Sequence, residues 1–259
     1  MTNRTSRVAI VTGTSQGIGR STAIRLAKDF TAIVLVSRSE ENLKQTASTL
    51  KSTSTATLVL AADLRKPEAA AHVVSETLSK FGRIDAVVNI AGAVLQAEPF
   101  TMTDEQWDDG FALKLHGARR LTVKAWDALK ESRGSVIFMS GNSALTPRFG
   151  FAAVATVNAA IVAFSKAMAE QGIKDGIQVN TILPGAVLTD RRYGYFKHWA
   201  SLNNTTPEEA MKIFPAKSGI ERFGQPEEIA SLIAFVLSPE AQWMTGSTLV
   251  IDGGEIKSI

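Results

Sequence analysis

The chain has 259 residues, 45% of them hydrophobic and 20% charged, enough to bury a sizeable core within one α/β domain. It contains no cysteine, which excludes a disulfide framework, a thiol nucleophile and a thiolate metal site. Its 28 Lys and Arg against 25 Asp and Glu leave a net charge of only +3. The basic residues are scattered, so no nucleic-acid surface is expected.

The N-terminal residues run into the apolar stretch Val8–Val11 without the apolar region of a secretion signal. The longest uninterrupted apolar stretches, such as Ala230–Leu237, are too short to span a bilayer. A cytoplasmic protein with no membrane partner is therefore expected. Taken in chain order, the β-branched run Val8–Thr12 predicts a first strand and Gly17–Lys28 a first helix. Strand Ala32–Ser37 and helix Glu40–Leu50 follow, then strand Thr57–Leu60 and helix Pro67–Lys80. The Ser/Thr-rich stretch Ser48–Thr57 is only a connection. Strand Ala86–Asn89 precedes a long helical pattern over Asp104–Lys130, opened by the capping box Thr103–Gln106. Strand Ser135–Ser140, helix Ala152–Gln171 and strand Gln178–Leu183 come next. Helix Pro226–Leu237 opens with Pro and two acids, a good first turn. Strand Thr248–Ile251 closes the pattern. The strand runs are continuously apolar, as for strands covered on both faces. Regular alternation of strands and helices implies an α/β fold of three layers, with a doubly wound parallel sheet of about seven strands. One domain, residues 1–259, is expected. Residues 189–215 are expected to form a lid segment within it.

Thr12-Gly13-Thr14-Ser15-Gln16-Gly17-Ile18-Gly19 follows the first strand and opens the first helix, the setting a dinucleotide-binding loop requires. Gly13 permits the tight turn. Gly17 lets the backbone approach a pyrophosphate at the positive helix N-terminus, and Gly19 allows close helix–strand packing. This is a Rossmann pattern. At the end of the second strand, Ser37-Arg38-Ser39 has no acid to hold an adenosine ribose 2′-hydroxyl. Arg38 can instead pair with a 2′-phosphate, so NADP(H) is favoured over NAD(H). Gln16, just before the middle glycine, adds no second positive charge.

Over nearly its whole length the chain resembles the short-chain dehydrogenase/reductase family, of its single-domain kind. Thr12–Gly19 is similar to the family's glycine motif, and Asp63-Leu64 to its adenine-contacting pair. Asn89-Ile90-Ala91-Gly92 resembles its Asn-Asn-Ala-Gly motif, with Ile90 in place of the second Asn. Pro184-Gly185 with Val187 and Thr189 resembles the turn that binds the nicotinamide carboxamide. Phe223-Gly224, Pro226-Glu227-Glu228, Thr245-Gly246 and Asp252-Gly253-Gly254 resemble its C-terminal third. The resemblance implies cofactor contacts from Gly13, Ser15, Gln16, Gly17, Ile18, Gly19, Arg38, Asp63, Leu64, Asn89, Ala91, Gly92, Pro184, Gly185, Val187 and Thr189. It implies no metal.

The family exchanges hydride between cofactor and a carbonyl or alcohol. A tyrosine transfers the proton, and a lysine one turn later lowers its pKa. A serine polarises the substrate oxygen and an asparagine completes a proton path. In this chain the tyrosine place is Val154, the lysine place Asn158, the serine place Gly141 and the asparagine place Lys114. All four differ. Two readings follow. In one, slightly preferred, the protein is a degenerate member that binds NADP(H) without turnover. In the alternative it is an active oxidoreductase with a rewired site using Lys114 and Ser140 or Ser143. A non-redox isomerase or lyase, as among the halohydrin dehalogenases, ranks third. Tyr193-x-x-x-Lys197 has the family's spacing but lies in the covering segment. There Tyr193, Tyr195 and Phe196 are expected to form an aromatic lid, with His198 beside them. His116 is expected at a helix interface and His72 on an outer helix. The small residues of Ala152–Ala169 suit close helix packing in a homo-tetramer or homo-dimer. The covering segment suggests a medium-sized, partly apolar small-molecule ligand.

Overall fold

The computed structural model describes residues 6–51 and 53–258. Residues 1–5, at the start of the segment read above as lacking a signal, lie outside the described residues, as do Ser52 and Ile259. Seven parallel strands run β1 (Val8–Thr12), β2 (Ala32–Ser37), β3 (Ala56–Ala61), β4 (Ala86–Asn89), β5 (Ser135–Met139), β6 (Gln178–Pro184) and β7 (Thr248–Ile251). Their order in the sheet is β3-β2-β1-β4-β5-β6-β7. The direction of winding reverses between β1 and β4, which opens a crevice at the C-terminal ends of those strands.

Alternate strand residues feed two cores. Val8 and Ile10 of β1, Val34 and Val36 of β2, and Val136 and Phe138 of β5 bury into one. Ala9, Val11, Ile33, Leu35, Ile137 and Met139 bury into the other. The first core is covered by α3 (Pro67–Phe81), α5 (Ala118–Ser132) and α6 (Ala152–Asp175). The second is covered by α1 (Gly17–Leu26), α2 (Glu40–Leu50) and α9 (Pro226–Val236). Each fully buried Ile, Leu or Phe contributes about 1.5–3 kcal/mol, so the double-sided burial of these strands dominates the stability. Buried Asp85 fixes the start of β1: its carboxylate accepts from the Val8 backbone N–H at 2.8 Å and pairs with Arg83 at 2.6 Å.

The structure departs from the sequence pattern in three places. The predicted helix over Asp104–Lys130 is α4 (Asp104–Gly110) and α5, joined by a π-helical segment, Phe111–Gly117. Glycines bracket this segment because its neighbours lie close. A Cβ on Gly110 would sit 3.0 Å from Val94, and one on Gly117 would sit 3.0 Å from Leu64. The region expected to form the lid holds two helices that hydrophobic periodicity missed, α7 (Asp190–Leu202) and α8 (Pro207–Ser218), the second running past residue 215. Both carry charged residues on most faces and bury only a short strip. Finally, α6 with its preceding turn, Phe149–Asp175, is long and apolar enough by composition to cross a membrane, with mean hydropathy 1.6. Single apolar runs hid that length. In the fold, Val157, Ile161 and Ala169 of this helix pack into the first core.

Candidate active site

The crevice between β1 and β4 is built by backbone approach. Thr12 Oγ1 accepts from the Ile90 and Ala91 N–H groups, each at 2.9 Å, and so ties the end of β1 to the turn after β4. Gly13 has φ +74°, and a Cβ there would lie 3.1 Å from Ala91. A Cβ on Gly19 would lie 2.2 Å from the Gly13 carbonyl oxygen, so only glycine lets α1 start this close to the strand. Gly17, at φ +54°, faces Thr189 across the crevice.

These residues fit a dinucleotide. Helix α1 begins with no side-chain cap from Gln16 and no acid in its first turn, so its N-terminal amides are available to an anion. Thr14 Oγ1, Ser37 Oγ and Asn89 Oδ1 are buried around the same crevice without hydrogen-bond partners. Ser15 lies in the turn, and Ile18 packs under it against the second core. Arg38 is exposed at the end of β2, and no ion pair engages it among the described residues. The Asp109 carboxyl is lowered from the usual carboxylate value, chiefly by a hydrogen bond from Arg65, with the charge of Arg38 adding to it. Arg65 also pairs with Asp63 at 3.4 Å, and Leu64 beside it is buried. On the far side, Pro184 ends β6 and Gly185 N–H donates to the Ile251 carbonyl at 3.0 Å. Val187 bridges to Gly224, and Thr189 caps α7 by accepting from Arg192 N–H at 3.4 Å.

Deeper in the crevice two of the four substituted positions, Lys114 and Asn158, form one hydrogen-bonded unit with Ser140 and Ser143. Lys114 stands at the centre of the π segment. Its Nζ donates to Asn158 Oδ1 at 2.5 Å and to the Ser140 carbonyl at 3.1 Å. Asn158 Nδ2 donates to Ser143 Oγ at 2.9 Å. Gly141 leaves room for this amide, because a Cβ there would lie 2.8 Å from Asn158 Nδ2. The Lys114 stem passes over Gly92, where a Cβ would meet it at 2.9 Å. Burial, reinforced by the positive charge of Arg191, pulls the Lys114 ammonium from the usual lysine value down to about 8. Arg191 in turn donates to the Gly92 carbonyl at 3.2 Å, joining α7 to the turn after β4. Val154 is half-buried one turn before Asn158 on α6.

An ammonium has three N–H donors, and two are engaged here. The third has no partner among the described residues. The Ser143 hydroxyl accepts from Asn158 and keeps its own proton to donate. Ser140 differs: its hydroxyl donates to the Asn158 carbonyl at 2.8 Å, and the side chain is buried.

Of the three aromatics expected in a lid, one packs inward and two are exposed. Phe196 is fully buried with Phe214 and Phe223, at ring separations of 5.0 and 5.4 Å. Tyr193 and Tyr195 are exposed, and Lys197 lies over the Tyr193 ring rather than in the crevice. His198 and His72 are exposed. His116 has a buried Nδ1 without a partner, and burial lowers its basicity. Among the described residues no group of three His, Asp or Glu is placed to hold a metal ion. Two open depressions lie elsewhere. One of about 610 Å³ lies along α2 at Glu40, Lys44 and Ser48, and one of about 790 Å³ lies between α6 and β7 at Val162, Lys166 and Leu249. Sequence reasoning passed over Asn142, Arg191, Arg192 and Glu255. The only signals were two adjacent arginines just after Thr189 and an acid just after Asp252-Gly253-Gly254.

Fold and crevice together define a Rossmann-type dinucleotide-binding protein. A family model described as Enoyl-(Acyl carrier protein) reductase matches residues 13–255. The short-chain reductase protein NovJ of Streptomyces niveus is 31% identical over 247 residues, covering 95% of this chain and 93% of that one. Among solved structures, L-sorbose reductase from Gluconobacter frateurii, complexed with NADPH and L-sorbose, matches with a TM-score of 0.95 at 31% identity over 98% of both chains. An actinorhodin polyketide ketoreductase with NADPH matches with a TM-score of 0.90 at 27% identity, over 98% of this chain and 99% of that one. The chain belongs to the short-chain dehydrogenase/reductase family of oxidoreductases.

Proposed function

We propose that the protein is an active NADP(H)-dependent oxidoreductase acting on a small carbonyl or alcohol, with Lys114 in the proton-transferring role and Ser143 polarising the substrate oxygen. The observation that carries this reading is the contact of Lys114 Nζ with Asn158 Oδ1 and the Ser140 carbonyl. An ammonium bonded to Asn158, the residue at the family's lysine position, supports that role. Four unrelated losses would leave a collapsed or disconnected site. Here Lys114 and Asn158 are bonded to each other and Gly141 leaves room for the Asn158 amide, and the relatives are reductases by name. Both facts count against the degenerate reading.

The cofactor residues are those expected: the Gly13–Gly19 turn and Ser15, Gln16 and Ile18 for the pyrophosphate, Arg38 for the 2′-phosphate, and Asp63 and Leu64 for the adenine. Asn89, Ala91, Gly92, Pro184, Gly185, Val187 and Thr189 line the nicotinamide end. When bound there, the nicotinamide supplies or accepts the hydride. The chain does the rest. Lys114 presents its third N–H to the substrate oxygen and yields a proton as that oxygen becomes an alkoxide. With a pKa of about 8 it is a far better acid at neutral pH than an ordinary lysine. Ser143 donates to the same oxygen. Its hydroxyl is made a stronger donor by the chain of hydrogen bonds from ammonium through the Asn158 amide. Residues 189–215, within one domain spanning the chain, close over the substrate. Ala159, Ala163 and Ala167 form an exposed small-residue stripe on α6, which supports packing against a second copy.

The test has two parts. Titration with NADPH and NADH, read by fluorescence, should show tighter NADPH binding; no binding of either overturns the whole reading. In steady-state reduction, Lys114→Met should lower kcat by about 10²–10⁴. The wild-type reduction rate should fall as pH rises through about 8, because the amine form has no proton to give, and the reverse oxidation should rise over the same range. Lys114→Met should abolish that limb. Retained activity with an unchanged pH profile removes Lys114 from the role.

A further inference from the structure

The turn after β5 carries Ser143, and little within the turn holds it. Asn142–Ala144 is a single 3₁₀ turn. Its own bonds run from Ala144 N–H to the Gly141 carbonyl at 3.0 Å, and from the Leu145 and Thr146 N–H groups to the Asn142 carbonyl at 3.0 and 3.2 Å. So short a helix has poor hydrogen-bond geometry and does not fix its own place. Two side-chain bonds from distant segments do. On one side Asn158 Nδ2 donates to Ser143 Oγ at 2.9 Å. On the other Asn142 Nδ2 donates to Glu255 Oε2 at 2.7 Å, across 113 residues of chain. Both partners of this second bond are half-buried, and its acceptor is a carboxylate, which makes it the stronger kind. Glu255 can serve as an anchor because the tail after β7 is itself fixed. Asp252 accepts from the Gly254 and Ile256 N–H groups, on either side of Glu255, at 2.9 and 2.8 Å. Lys257 donates to the carbonyl of Gly219, the residue after α8, at 3.2 Å. Underneath, a Cβ on Gly185 would lie 2.5 Å from Asp252 Cβ and 3.0 Å from Glu255 Oε2, so the tail rests on the turn after β6.

We propose that Glu255 is a positioning residue: through the Asn142 amide it fixes the turn that aims the Ser143 hydroxyl at the substrate oxygen. This rests on the oxidoreductase reading given above, in which Ser143 polarises that oxygen. Lys114 is held by Asn158 and the Ser140 carbonyl, neither of which touches the tail. The serine is therefore the part of the unit whose aim depends on Glu255. Asn158 fixes the Ser143 oxygen at one point and leaves the turn free to swing about it. A second bond one residue away removes that freedom. A reacting group misplaced by about 1 Å costs up to about a hundredfold in rate, so the loss of this hold is felt in the chemical step rather than in binding.

The experiment follows two readouts on the whole protein: reduction of 2,3-butanedione by NADPH, and amide hydrogen exchange over residues 141–146. Glu255→Ala should lower kcat about tenfold to a hundredfold and leave KM and the NADPH Kd within about twofold. Glu255→Gln keeps an acceptor oxygen and should retain most of kcat. Asn142→Asp sets two carboxylates together and should fall as far as Glu255→Ala. Adding Glu255→Gln to it lets the bond form in the reverse direction and should rescue it. In a Ser143→Ala background, Glu255→Ala should cost nothing further, because both changes act through one hydroxyl. Exchange at Ala144, Leu145 and Thr146 should quicken in Glu255→Ala and Asn142→Asp and return to the wild-type rate in the rescued pair. A full additional loss in the Ser143→Ala background, a weaker NADPH Kd at unchanged kcat, or unchanged exchange in either folded single variant overturns the role. Wild-type turnover in Ser143→Ala, or no turnover of butanedione by the wild type, counts instead against the oxidoreductase reading. In either case exchange decides by itself whether Glu255 holds the turn.

Discussion

Arg38 and Lys114 show how single side chains are set by their neighbours. Arg38 makes no ion pair among the described residues, and Arg65, bonded to Asp109 and Asp63, engages the nearby carboxylates. Arg38→Asp should therefore weaken NADPH about tenfold to a hundredfold and improve NADH, since the new acid both loses the phosphate contact and accepts from a ribose hydroxyl. Equal NADPH affinities in the two proteins would remove Arg38 from the site. The four altered positions were each visible in the sequence, but their relation was not. Lys114 and Asn158 are 44 residues apart, and their contact at 2.5 Å belongs to two different helices. The small size of Gly141 has a reason only once Asn158 Nδ2 is placed beside it. Ser140 and Ser143 look equivalent in the chain. The fold spends the first on a backbone carbonyl and leaves the second open.

Among the elements, those with strong periodicity were legible and those with mixed faces were not. All seven strands lie where continuous apolar runs placed them, to within a residue or two at their ends. The capping box at Thr103 is present in full, because its bonds are local. The π segment was not legible, since a one-residue change of winding leaves no mark in composition. Helices α7 and α8 were missed because their apolar contacts are few. Phe196, Ala210 and Phe223 form a small core separate from the two that flank the sheet. This separation has a consequence. Phe196→Ala should cost about 3–5 kcal/mol locally and free the two helices from the body. Limited proteolysis should then cut within residues 190–218 much faster, while the melting midpoint of the rest stays near wild type. Slow cleavage at wild-type rates would show that the lid is anchored elsewhere.

At the scale of the whole molecule, α6 has one face in the core and another of small residues open to solvent. Such a face lets a second helix approach closely, and Ala163→Arg should place a charge in the middle of that contact. Light scattering should give a dimer or tetramer for the wild type and a smaller species for the variant. A wild-type monomer would contradict the expected assembly. The sequence by itself determined the α/β alternation, the glycine turn, the missing acid after β2 and the substitution of all four family positions, because each is written in neighbouring residues. Tertiary structure alone decided which of those residues act together. It brought Lys114 to Asn158 and Ser143, and Asn142 to Glu255. Contacts between distant segments depend on how strands are ordered in the sheet and on how the π segment turns one side chain, and neither is encoded in local pattern.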